Sequence, residues 1–226
     1  MNPKNTADLF DLKGEVAIIT GGGGLLGYQH AAAIACFGGT PVLLDISAEG
    51  LKKNRELLKS EFGTETMTLE VDITDLGSLQ ESKVAILKQH QKIDILINNA
   101  GMSGNFAPDD PVDLDLTDRA IFLNLNAPMH LIAKFLPSLR QRPEAAIVNV
   151  TSGLAIAPRS GGPVYCATKA GLRSFTMALR HQLKGSNIHM IEALPPVVET
   201  AMTAGRTSSK MPARECARQI VAAIAA

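Results

Sequence analysis

Short runs of apolar, β-branched residues alternate along this chain with longer stretches whose apolar positions recur at helical spacing. Residues 15–20 (EVAIIT), 41–45 (PVLLD), 66–71, 93–97, 145–150 (AAIVNV) and 188–193 are predicted strands. Residues 25–37, 48–60, 76–90, 117–139, 164–183 and 213–225 are predicted helices between and after them. The runs KIDILI and AAIVNV carry little polar alternation, which is the pattern of strands buried on both faces. Repeated βα alternation around such strands predicts an α/β fold: a doubly wound parallel sheet with helices on both faces. Ligands of such a sheet bind at the carboxyl ends of its strands.

Composition narrows the classes of function. Of 226 residues, 46% are hydrophobic and only 19% charged, below the ~25% typical of globular proteins, so the chain can bury a core that offsets its ordering entropy. Twenty-two basic residues balance 22 acidic ones, and this neutrality lacks the basic footprint of a nucleic-acid binder. Cys36, Cys166 and Cys216 are too scattered for a disulfide framework or a zinc site, and the five histidines have no metal spacing. No metal is expected, and a reducing compartment is. The polar start lacks a signal-peptide core, and no run approaches the ~20 apolar residues of a membrane span. A cytoplasmic protein with one domain over residues 1–226 is the expectation. Charged runs such as 52–55 and 214–218 read as solvated helix faces.

Candidate chemistry begins between the first strand and first helix, at Thr20-Gly21-Gly22-Gly23-Gly24-Leu25-Leu26-Gly27. A glycine tract lets backbone amides approach a pyrophosphate, and the helix N-terminus behind it favours an anion. Asp45 ends the next strand, where a carboxylate can accept both hydroxyls of an adenosine ribose and would repel a 2′-phosphate. NAD is therefore expected rather than NADP. The plainer readings are a flexible glycine turn and a capping aspartate.

A second group lies further along. Tyr165 and Lys169 in YCATK stand one turn apart on a predicted helix, so they share a face. A neighbouring cation makes a phenol a usable acid–base group near neutral pH. Ser152 follows the strand AAIVNV, and Asn98-Asn99-Ala100-Gly101 follows the fourth strand, both at carboxyl ends. Asn124 is a poor helix former inside a predicted helix. Capping or backbone contacts are the ordinary explanations for Ser152 and Asn124.

These motifs, in this order from about residue 13 to 200, resemble the short-chain dehydrogenase/reductase family, a Rossmann-like fold, in its short one-domain branch. Asp72 after the third strand and the LPPVVET segment at 194–200 belong to the same pattern. The resemblance implies an oxidoreductase that interconverts a secondary alcohol and its ketone, with NAD as hydride carrier. It implies Tyr165 as the acid–base and Lys169 as the cation that lowers its pKa and holds the nicotinamide ribose. Ser152 would orient the substrate oxygen, and Asn124 would steady a water in a proton relay. Gly21, Gly24, Leu25, Leu26, Asp45 and Ile46 would hold the adenosine side of the cofactor, with Asp72 and Ile73 beside the adenine. Asn99, Ala100 and Gly101 would flank a ribose, and Val198 and Thr200 the carboxamide. A homodimer or homotetramer acting on a small molecule, with no nucleic acid or membrane partner, completes what the family implies.

Three departures stand out. Leu25 occupies a position that is glycine in the one-domain branch, so the tract fits Thr-Gly-x-x-Gly-x-x-Gly instead. Pro195-Pro196 replaces a Pro-Gly pair, and nothing follows Ala226 where the family adds a closing strand, leaving that sheet edge in doubt. They keep alive an alternative, a catalytically impaired NAD-binding regulatory or scaffold protein of the same fold. The substrate pocket is expected between Ser152 and Tyr165 and after Thr200. Arg159 and Arg206 in those loops are candidates to meet an anionic substrate, although loop arginines commonly face water.

Overall fold

A computed structural model describes residues 11–104, 106, 111–205, 207 and 209–225. Six parallel strands form the sheet: β1 (Val16–Thr20), β2 (Thr40–Asp45), β3 (Met67–Glu70), β4 (Ile95–Asn98), β5 (Ala145–Val150) and β6 (Ile188–Ala193). Their order, β3-β2-β1-β4-β5-β6, puts β1 at the centre between β2 and β4. The order reverses at β1, so the loops after β1 and β4 diverge to opposite faces and leave a crevice at the carboxyl edge. This is the doubly wound, Rossmann-like sheet expected from the alternation of elements. Among the described residues β6 pairs only with β5.

The pleat divides the strand side chains between two cores. Ala17, Ile19, Leu43, Ile97 and Val148 meet Ile34 of α1 (Leu25–Cys36), Leu51 and Leu58 of α2 (Ala48–Phe62) and Val221 of α7 (Ala213–Ala225). Val16, Ile18, Val42, Leu44, Leu96 and Ile147 point the other way. They meet Leu79 and Ile86 of α3 (Leu76–His90), Leu131 and Phe135 of α5 (Ala127–Leu139) and Leu183, which caps α6 (Pro163–Gln182). Burial on both faces explains why these strands carry almost no polar alternation.

Most predicted boundaries hold to within a residue or two, and two departures have physical reasons. The fourth strand begins at Ile95 rather than residue 93, although Ile93 is buried. Asp94 turns its carboxylate under the sheet to accept from the Val16 N–H at 2.8 Å and to meet Lys92 and Arg142. The long helix expected at 117–139 begins earlier, where Asp113 caps α4 (Leu114–Ile121) by accepting from Leu116 N–H. It then passes through a π-turn at Phe122–Asn126 before α5. The cause is legible: the N–H that would close the α-ladder on the Asn124 carbonyl belongs to Pro128, which has none. The ladder widens there, and the Ala127 N–H bonds the Phe122 carbonyl instead. No described helix is long and apolar enough to cross a membrane.

Burial alone would raise the Asp94 carboxyl's pKa; the Val16 amide and the flanking Lys92 and Arg142 outweigh it and hold it below the usual carboxylate range. The folded pKa being depressed, this stabilisation is present at neutral pH and is lost as pH falls below about 4. We expect Asp94→Asn to cost about 2 kcal/mol of unfolding free energy at pH 7. Urea titrations should find the gap to wild type closing at pH 3; a gap that persists in acid would contradict the charge-based account.

Candidate active site

The glycine-rich turn is built by exclusion. Gly21 has φ +68°, and a Cβ there would lie 2.9 Å from Asn99 Nδ2; a Cβ on Gly27 would lie 2.1 Å from the Gly21 carbonyl. Only hydrogen fits at these positions. The tract's own amides are partly consumed in shaping it: Gly22 N–H bonds Leu44 O, Gly24 N–H bonds Gly21 O, and Gly23 N–H bonds Asp45 Oδ2 at 2.9 Å. The Gly24 amide is therefore not available to a phosphate. The N–H groups of Leu25, Leu26 and Gly27, in the first turn of α1, have no acceptor among the described residues, and all three residues line the crevice. Leu25 is thus compatible with the turn, since its contribution is a backbone amide.

Thr20 joins this turn to the loop after β4. Its buried hydroxyl accepts from the N–H groups of Asn99 and Ala100, each at 3.0 Å, and donates to Ile97 O. Asn99 Nδ2 donates back to Thr20 O at 2.9 Å. Behind Asn99 sits His30 of α1, wholly buried, where desolvation pushes its pKa down to about 4 against a small opposing contact with the Asn99 side chain. The imidazole is neutral at physiological pH.

The second group gathers around the N-terminal half of α6. Lys169, 3% exposed, donates from Nζ to Val150 O at 2.8 Å and lies 5.7 Å from the centre of the Tyr165 ring. Desolvation lowers its pKa to about 8. Ser152, just beyond β5, accepts from Leu154 N–H and is nearly buried. Its loop is pinned by Gly153 N–H to Pro195 O and by Thr151, which donates to Glu192 Oε1 at 2.9 Å. Glu192 in turn pairs with Arg173 of α6 at 2.6 Å. Asn124 is completely buried: Oδ1 accepts from Met102 N–H, while Nδ2 donates to Met102 O and Thr168 Oγ1. Its side chain fastens the loop after β4 to α6; both Nδ2 hydrogens are used, and Oδ1 keeps one lone pair.

One crevice of about 880 Å³ collects these groups. Gly21, Gly24, Leu25, Leu26, Asp45, Asn99, Ala100, Gly101, Ser152, Tyr165, Lys169, Val198 and Thr200 all line it. Ile46 is exposed, Ile73 belongs to the core beside β4, and Asp72 Oδ1 closes an Asx turn, accepting from Thr74 N–H and Oγ1. These three do not line it, nor does the wholly buried Asn124. Pro195 and Pro196 do, and the loop after them is held by the Met211 backbone, whose N–H donates to Val197 O and whose carbonyl accepts from Glu199 N–H. Thr200 starts a capped 3₁₀ turn with Thr203. Arg159 also lines the crevice, its guanidinium 3.4 Å from where a Gly162 Cβ would stand. Arg206 lies outside the described residues.

Several residues of this site escaped the sequence reading. Asn98 Nδ2 donates to Asn149 Oδ1, and Asn149 Nδ2 to Thr176 Oγ1, a buried chain tying β4 and β5 to α6. The signal was present, as an asparagine inside the otherwise apolar AAIVNV. Asn54 lies in a run taken for a solvated face, yet it is 5% exposed and bonds the glycine turn.

A parallel sheet with a glycine turn, a strand-end acid and a half-buried tyrosine beside a buried lysine around one crevice defines a nicotinamide-dinucleotide oxidoreductase of the doubly wound class. The comparisons agree. A family model described as short chain dehydrogenase matches residues 15–211, and the chain belongs to the short-chain dehydrogenase/reductase family. The uncharacterized oxidoreductase DltE of Bacillus subtilis (strain 168) is 36% identical over 186 residues, covering 82% of this chain and 72% of that protein. An NADP-dependent 3-hydroxy acid dehydrogenase of Schizosaccharomyces pombe is 30% identical over 200 residues, 86% of this chain and 76% of that protein. The chain spans only 62% of the length of some other relatives. A short-chain dehydrogenase/reductase from Burkholderia phymatum, solved with NAD, superposes with a TM-score of 0.88 at 24% identity, over 96% of this chain and 87% of that one.

The buried ammonium makes a testable claim. Because the folded pKa of Lys169, about 8, lies below the ordinary 10.5, the unfolded chain alone holds this proton between those values, and stability rises with pH across that window. Lys169→Met removes the effect. Urea unfolding at pH 7.5 and 10.5 should show wild type gaining up to about 3 kcal/mol relative to the variant. A constant difference would mean that the amine is solvated in the folded protein.

Proposed function

We propose that this chain interconverts a secondary alcohol and its ketone with NAD(H), using Tyr165 as the acid–base. The observation that carries the reading is that Ser152, Tyr165 and the buried Lys169 ammonium, 5.7 Å from the Tyr165 ring, line the same crevice as the glycine turn and Asp45. The residues present fit a dinucleotide: unfilled amides at Leu25, Leu26 and Gly27 for a pyrophosphate, and a strand-end carboxylate for a ribose. The nicotinamide, when bound, supplies the acceptor or donor of the hydride.

The protein's part is to position groups and move a proton. Ser152 Oγ donates to the substrate oxygen and fixes it beside the phenol. Tyr165 takes the proton from an alcohol, or returns it to a forming alkoxide, at that oxygen. Lys169 holds positive charge close to the ring, which favours the phenolate on which this exchange depends. Asn124 holds the Met102 loop against α6, and would steady a water in the relay that leads to the lysine. Asp45, with each carboxylate oxygen already accepting one N–H, from Gly23 and Ser47, keeps lone pairs for ribose hydroxyls and repels a 2′-phosphate. NAD is therefore the preferred cofactor here, although the Schizosaccharomyces pombe relative is named for NADP. That relative is also named for 3-hydroxy acids. With Arg159 at the crevice wall, such acids head the substrate panel, followed by polyols and sugars.

Two experiments test this. Tyr165→Phe should lower turnover by at least about a thousandfold, followed as absorbance at 340 nm over the panel, and leave NADH affinity nearly intact. Retained turnover would overturn the role of Tyr165. Asp45→Ala should weaken NADH binding by about tenfold and NADPH binding by less, in parallel fluorescence titrations; an unchanged preference would remove the argument for NAD. A wild-type protein that binds NADH but oxidises no alcohol and reduces no ketone would favour a regulatory or scaffold role.

A further inference from the structure

The glycine turn is shaped from beneath by a residue of the second helix. Asn54 is 5% exposed, and its Nδ2 donates to the Gly22 carbonyl at 2.8 Å and, at a longer 3.4 Å, to the Gly24 carbonyl. Helix α2 approaches closely enough that a Cβ on Gly50 would stand 2.7 Å from the Gly23 carbonyl. A glycine tract has no side chains to choose its peptide orientations, so each peptide can present either its N–H or its C=O to a ligand. For an anion the difference is between attraction and repulsion.

We propose that Asn54 is a positioning residue for dinucleotide binding: it holds the Gly22 carbonyl on the buried side of the turn, so that the tract keeps the shape in which the Leu25, Leu26 and Gly27 amides stay open to the pyrophosphate. The two ends of the Gly22–Gly23 peptide are then fixed oppositely, its carbonyl by Asn54 and its N–H by Asp45. The Gly24–Leu25 peptide is held mainly by α1, whose Tyr28 N–H donates to Gly24 O at 2.9 Å, with Asn54 as a second, longer donor. A trans peptide so oriented directs the Leu25 N–H the other way, and that amide has no acceptor among the described residues. Asn54 suits the position because a carboxamide offers donors, whereas an aspartate would set a carboxylate against carbonyl oxygens.

The inference rests on the reading of this turn as a dinucleotide site, and the test separates the two. The probe is NADH, titrated by fluorescence into wild type, Asn54→Ala, Asn54→Asp and a control, Leu58→Ala, in which a fully buried residue of the same helix is removed from the core rather than the turn. Urea unfolding ranks their stabilities. Both Asn54 variants should bind NADH about tenfold more weakly or worse, while kcat at saturating NAD stays within about threefold. Leu58→Ala, although destabilised, should keep its Kd within about twofold. Should Asn54→Asp fail to fold, Asn54→Ala decides alone. Wild-type affinity in a folded Asn54→Ala, or an equal loss in Leu58→Ala, overturns the positioning role. A wild type that binds neither NADH nor NADPH overturns the dinucleotide reading itself.

Discussion

The Thr20 hydroxyl is the interaction on which the rest of this site depends. It stands at the carboxyl end of the central strand, where a parallel sheet runs out of ladder partners and the chain must turn in opposite directions from neighbouring strands. By accepting from two successive amides of the loop after β4, it makes the dinucleotide turn and the loop leading to Asn124 a single unit. A valine would fill the same volume and leave both amides orphaned, which shows why volume alone does not specify this position. Through Met102, Asn124 and Thr168, the same unit reaches the helix that carries Tyr165 and Lys169.

Below the carboxyl edge the protein is an apolar two-layer core; at the edge it becomes a dense polar lattice. Asn98, Asn149 and Thr176 cross the sheet, and Glu192, Arg173 and Thr151 brace the loop that bears Ser152. Buried polar groups of this kind are costly unless satisfied, and they define one geometry when they are. Lys169 is the exception in kind. Its burial works against its own charge, so the fold holds an ammonium beside the Tyr165 ring at some cost to stability.

The fold was legible in the chain because β1, β4 and β5 are buried on both faces and the helices between them are not, a contrast that periodicity reads directly. The outlines of the site were legible too, as glycines, a strand-end acid and a Tyr–Lys pair at helical spacing. The supporting contacts were hidden for specific reasons. Asn54 stands among lysines and an arginine, and only the approach of α2 to the turn reveals that this one position faces inward. The widened turn at Asn124 depends on a missing donor four places along, at Pro128, which periodicity does not register. Asp72 stands at the position expected to meet an adenine, and one of its carboxylate oxygens also closes its own loop. Side chains that serve the backbone look, in one dimension, like side chains that serve a ligand.

Asp45 has two duties that cannot be separated. The carboxylate proposed to meet the ribose is also the acceptor that ties down the Gly23 amide. Swapping this acid for a basic residue would consequently also release the Gly23 amide. The replacement would also have to anchor the neighbouring peptide, or the loop would lose its shape as the new charge arrived. Selection acting on cofactor choice would therefore be expected to change the strand end and the glycine tract together.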